Sequence, residues 1–142
     1  MVAAFYGLLT GIVIIILTVF LAKYFSAKLM AATMLCAIAF IYVGFSLQGN
    51  PVNYIILEVS MALLLYFVAI IGYTKYPSLI GYGIVFHGVW DVFHHHASVI
   101  ETTIPAYWPS FCGVIDLLIG IYFILYFNRQ NRKEHLNKAL VK

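Results

Sequence analysis

Five apolar stretches of about 20 residues, each separated from the next by a short polar or proline-containing break, leave this chain few ways to fold. They run over about 2–22, 29–47, 53–73, 79–100 and 111–127. A hydrocarbon layer of roughly 30 Å is crossed by about 20 helical residues, and irregular backbone cannot face lipid, so each stretch predicts a transmembrane α-helix. The breaks carry charge or turn chemistry: Lys23 to Lys28, Gln48-Gly49-Asn50-Pro51, Lys75-Tyr76-Pro77-Ser78, and 101–110 with Pro105 and Pro109. The predicted class is an all-α polytopic membrane protein, a bundle of five transmembrane helices. Composition excludes the alternatives. With 64% hydrophobic residues, 8 Lys plus Arg and 5 Asp plus Glu in 142 residues, a water-soluble domain could not cover its surface. That removes a soluble enzyme, a disordered tail and a nucleic-acid-binding module. Cys36 and Cys112 form neither a disulfide framework nor a C-x-x-C motif.

In a five-span arrangement Lys23, Lys28, Lys75, Arg129, Arg132, Lys133, Lys138 and Lys142 all fall on one side of the membrane. The positive-inside rule then places the N-terminus outside, the C-terminus in the cytoplasm and the 101–110 loop outside. Residues 1–127 are expected to form one transmembrane domain and 128–142 a basic cytoplasmic tail. That tail reads as a solvated topology anchor or a short amphipathic segment on anionic headgroups. The first span has no basic n-region and is followed by lysines, which argues against a cleavable signal peptide. No internal repeat is present, which disfavours an inverted-repeat transporter within one chain. Gly7 and Gly11 make a G-x-x-x-G suited to close helix approach.

Ionised groups in mid-membrane cost roughly 2.5 to 3.5 kcal/mol each on insertion scales, so those inside the spans need a reason. Glu58 lies in the third span, Asp116 in the fifth, and the fourth carries His87-Gly88-Val89-Trp90-Asp91-Val92-Phe93-His94-His95-His96. Counted from the outer ends at ~1.5 Å per residue, Glu58 and Asp116 are roughly 8 Å deep, His94 roughly 9 Å and Asp91 roughly 13 Å. One polar site in the outer half of the bilayer would produce that shared level. On a helix His87, Asp91, His94 and Ser98 share a face, His95 sits at its shoulder and His96 points away. His87/Asp91 and Asp91/His95 are i,i+4 pairs, the spacing at which two ligands on one helix reach one metal. Asp91 would bridge two metals or orient a ligand histidine. Cys112 and Asp116 are also i,i+4; Cys112 reads as a small buried hydrophobe, with a soft metal ligand as the alternative. Interhelical hydrogen bonding, a proton relay and a metal-free polar pocket are the competing readings.

The segments H-G-x-W-D-x-x-H-H, from His87, and P-x-Y-W-P-x-F-C-x-x-x-D-x-x-x-G-x-Y, Pro105 to Tyr122, resemble a family of small bacterial membrane proteins of unknown function. The resemblance implies that His87, Trp90, Asp91, His94, His95, Cys112 and Asp116 act as one unit in a bacterial inner-membrane protein, and it brings no activity. More loosely, Asp91-Val92-Phe93-His94-His95 is similar to the H-x-x-H-H boxes of membrane di-iron desaturases and hydroxylases, which collect more histidines and on the cytoplasmic side. Alkaline-ceramidase-type membrane hydrolases offer a second analogy, without shared motifs.

The expectation is a metal-dependent membrane enzyme hydrolysing a lipid or other amphipathic substrate. His87, Asp91, His94, His95 and Asp116 are its expected ligands for Zn²⁺, or for iron or a di-metal pair, with Glu58 and Asp116 as the catalytic carboxylates. An iron-dependent oxidase or hydroxylase is the neighbouring alternative. From another class come an oligomeric metal or proton transporter or sensor, since one chain this small hardly encloses a pore, and an accessory subunit. The inner halves of the spans are nearly free of ionisable groups, which disfavours a conductor. No lysine lies within a span, which excludes a retinal Schiff base.

Overall fold

The apolar stretches fold as helices in a computed structural model that describes residues 1–94, 100 and 103–140. The helices are α1 (Val2–Leu21), α2 (Ala27–Ser46), α3 (Val52–Thr74), α4 (Ser78–Trp90) and α5 (Trp108–Leu140), with a 3-10 turn over Asp91–His94 directly after α4. No strand occurs among the described residues. α1, α2, α3 and α5 are long and apolar enough to cross a membrane.

Local chemistry sets the ends. Ser26 caps α2 by accepting the Leu29 N–H at 3.5 Å. Pro51 and Pro77 stand at the N-caps of α3 and α4, and Pro109 in the first turn of α5, where a missing N–H costs no helical bond. Gly49 takes a φ of +89° in the turn between α2 and α3, a conformation that suits glycine.

Two boundaries differ from expectation. The fourth stretch, expected as one helix over 79–100, is α-helical only to Trp90 and tightens into the 3-10 turn, and 95–99 lie outside the described residues. The fifth helix does not stop at 127: it begins at Trp108 and continues to Leu140, so the basic segment is helical through that residue. Nothing between Ile121 and Leu140 is glycine or proline, so no residue in that stretch breaks the helix. From Asn128 onward the extension is exposed.

α5 packs against α1 on one side and α4 on the other, while α2 and α3 pair with each other and both contact α4. Leu35, Leu65, Ile80, Ile84 and Phe123 fill the core, with Ala31, Ala39, Ala62 and Ala69 where helices approach. In lipid, burial of apolar surface drives helix association little; close packing and interhelical hydrogen bonds do so instead. Glycine permits the closest approaches. A Cβ on Gly81 would meet the Gly120 carbonyl oxygen at 2.8 Å, and one on Gly120 would meet the Gly81 oxygen at 2.9 Å. One turn-pair further on, a Cβ on Gly88 would lie 3.2 Å from the Gly113 oxygen. Gly81/Gly88 and Gly113/Gly120, seven residues apart on each helix, thus form an antiparallel seam that brings the α4 and α5 backbones together. Gly7 and Gly11 act similarly for α1: a Cβ on Gly7 would meet the Phe111 oxygen at 2.5 Å.

At the end of the bundle away from Lys28 and Lys75, Asn50 ties the α2–α3 turn to the segment before α5. Its amide NH₂ donates to the Phe45 and Ser46 carbonyls, each at 3.2 Å, and to Thr103 Oγ1 at 2.6 Å, while its oxygen accepts the Thr103 N–H at 3.0 Å. Asn50→Ala is expected to cost about 1–2 kcal/mol, the sum of modest exposed hydrogen bonds. Reversible unfolding in detergent by added denaturing surfactant measures it.

Candidate metal centre

Polar side chains from four helices meet near that same end. The α4–α5 glycine seam places His87 beside Asp116, and their Nδ1 and Oδ2 atoms are 2.6 Å apart, with exposures of 1% and 0%. A carboxylate accepts, so Nδ1 of His87 carries the proton and donates it, leaving Nε2 with a lone pair. Asp91, at the start of the 3-10 turn, accepts a hydrogen bond through Oδ1 from the Tyr42 hydroxyl of α2. A Cβ on Gly113 would lie 3.4 Å from Asp91 Oδ2, so that oxygen rests against the glycine seam.

Asp91 and His94 are three residues apart in a 3-10 turn, where i and i+3 eclipse, so both point inward from one side. His94 Nδ1–H donates to the Trp90 carbonyl at 3.2 Å and its Nε2 lies 2.6 Å from Glu58 Oε1. Since Nδ1 is already a donor, one proton lies between Nε2 and the carboxyl: the pair is imidazolium–carboxylate or imidazole–carboxylic acid. Trp90 Nε1–H donates to the other Glu58 oxygen at 3.2 Å. Tyr42 stands between the two acid–histidine pairs, its ring centroid 5.4 Å from that of His87 and 4.4 Å from that of His94.

Among the described residues four buried side-chain polar atoms have no partner: the donor Trp108 Nε1 and three acceptors, His87 Nε2, Asp91 Oδ2 and Asp116 Oδ1. Buried polar groups are nearly always satisfied, and these three acceptors in neighbouring residues are of the kind a bound cation would satisfy. With Cys112, the same three residues form a buried group that can hold a metal ion, one ligand atom from each lying within 4.8 Å of the others. Nitrogen, carboxylate oxygen and thiolate are the donor set of zinc and other borderline transition metals.

Of the expected site residues, the structure unites His87, Asp91 and Asp116 in this group. His94 lies outside it, with both ring nitrogens engaged, and Glu58 is its partner. His95 and His96 lie outside the described residues. Cys112, expected as a small buried hydrophobe, belongs to the group, because Cys112 and Asp116 sit one turn apart on the inner face of α5. Tyr42 was missed by sequence reasoning. The depth count that linked Glu58 and Asp116 also puts it, five residues from the end of its span, roughly 8 Å deep. The glycine heptads were equally readable and equally overlooked.

No curated protein and no solved structure matches the chain. A family model does, over residues 2–130, which takes in every residue of the polar cluster. The chain therefore belongs to the family of unknown function DUF6010.

Proposed function

We propose that this protein is a metal-dependent enzyme of the membrane, hydrolysing a lipid or other amphipathic substrate at a zinc site built from His87, Asp91 and Cys112. The observation that carries the reading is the trio of unpartnered buried acceptors on His87, Asp91 and Asp116. Zinc so held would supply a Lewis acid that makes water nucleophilic near neutral pH. Asp116 fixes the His87 tautomer through Oδ2 and, through its unpartnered Oδ1, accepts the proton that the attacking water loses. His94, paired with Glu58, returns a proton to the leaving group, and Tyr42 holds Asp91 in place. Iron is the alternative occupant of such a donor set, and would make the enzyme oxidative.

The membrane frame of this reading has five crossings, N-terminus outside and C-terminus in the cytoplasm. α4 contributes about 20 Å at ~1.5 Å per residue and the 3-10 turn about 8 Å more, together close to the ~30 Å hydrocarbon thickness. The bacterial inner membrane suits this orientation, with the centre toward the outside and the cations inside. The buried ionisable groups among the described residues lie toward one end; this favours an enzyme over a conductor, which would need them along its whole depth.

Elemental analysis of protein purified without chelator is the first test: about one zinc per chain is expected, and less than about one tenth would end the proposal. Glu58→Gln separates binding from chemistry. It should keep the metal and lower turnover of a lipid ester or amide about a hundredfold or more, the usual contribution of a general acid.

A further inference from the structure

Opposite the metal centre, where Lys28 and Lys75 lie, the surface has a shape and charge that nothing above uses. A cleft of ≈ 380 Å³ opens between the α2 N-terminus, the α3–α4 turn and α5, lined by Lys28 and Lys75 and by the polar side chains of Ser26, Gln130 and Asn131. Glu134 is the one acid on its wall, against two lysines. The first turn of α2 adds the positive end of a helix dipole. On the outer side of the α2–α3 pair lies a second, almost wholly apolar groove of ≈ 280 Å³. Small residues make it: Ala32, Thr33 and Cys36 of α2 face Ala69 of α3, with Leu29 and Tyr73 at its end. Lys28 joins the two. It precedes Leu29 in sequence, and its ammonium lies 5.9 Å from the centroid of the Tyr73 ring.

We propose that this end of the bundle holds an anionic phospholipid, its phosphate between Lys28 and Lys75 and one acyl chain in the α2–α3 groove beside Cys36. The cations recognise the headgroup charge, and the small side chains admit a chain along roughly 10 Å of helix, from Leu29 to Cys36. An annular lipid held by apolar contact alone would show no headgroup preference. The site is separate from the metal centre and stands whether or not that centre is catalytic.

Cys36 makes the occupant measurable. The full-length protein in neutral detergent is treated with N-ethylmaleimide, and modification at Cys36 is followed by peptide mass spectrometry. Phosphatidylglycerol should slow it, while phosphatidylcholine with the same acyl chains and inorganic phosphate should not. Each lysine contributes about fivefold to the lipid's affinity at a membrane surface, so Lys28→Gln with Lys75→Gln should bring phosphatidylglycerol down to the level of phosphatidylcholine. Equal protection by both lipids, protection by phosphate alone, no protection, or protection that survives the double substitution would each overturn the proposal. Both lysines are exposed, so the variants are expected to fold, and an unchanged elution volume and metal content verify this.

Discussion

His87→Ala should release the metal and destabilise the bundle together. The wild-type chain is expected to carry about one equivalent and the variant less than about one tenth. The substitution removes the one hydrogen bond of Asp116, a carboxylate with 0% exposure whose other oxygen has no partner. Leaving one member of a buried pair alone costs about 3–5 kcal/mol. Metal analysis and surfactant unfolding on the same preparation measure both effects. Asp116→Asn is the milder companion, since it keeps the volume and an oxygen acceptor. Were His87→Ala to retain full metal, the centre would have to be rebuilt around other residues.

Gly120→Ala, a change of one methyl group, is expected to have an effect of comparable size without touching any polar side chain. The added Cβ would meet Val85 Cγ2 at 2.6 Å and, at 2.9 Å each, the Gly81 oxygen and the Val85 nitrogen. Two of those three neighbours are backbone, which cannot swing aside, so α4 and α5 must separate. Overpacking of this kind costs about 1–3 kcal/mol, occasionally more. The functional loss should be larger than the stability loss, because separating the helices lengthens the 2.6 Å contact between His87 and Asp116. Gly44→Ala is the control: a Cβ there meets nothing within 4 Å, and the variant should match the wild type in both thermal stability and metal content.

Much of this architecture was legible in the sequence because hydrophobic run length is a one-dimensional signal. α1, α2 and α3 lie within two residues of the expected spans. The change from α to 3-10 at Asp91 is not legible, because hydropathy reports apolar length and is blind to helix type. The helical state of the basic segment after 127 is equally illegible, because charge marks where the membrane ends and says little about where a helix ends. In the centre, depth counting placed Glu58, Asp91, His94 and Asp116 at a similar level, and they do cluster. What it could not supply was azimuth, the direction each side chain faces around its helix. Azimuth is what pairs His94 with Glu58 and sets Cys112 beside His87, Asp91 and Asp116, and depth alone carries neither.

The packing of α1 bears on how the molecule is made. Its principal neighbour is α5, through Gly7 and Gly11, so a helix made early is matched with one made three helices later. Until α5 is made, α1 has lipid where α5 will later lie, and a chain shortened before Phe111 would leave it without a docking surface. Assembly on this side of the bundle therefore waits for α5, and α1 gains its protein neighbour only when that helix arrives.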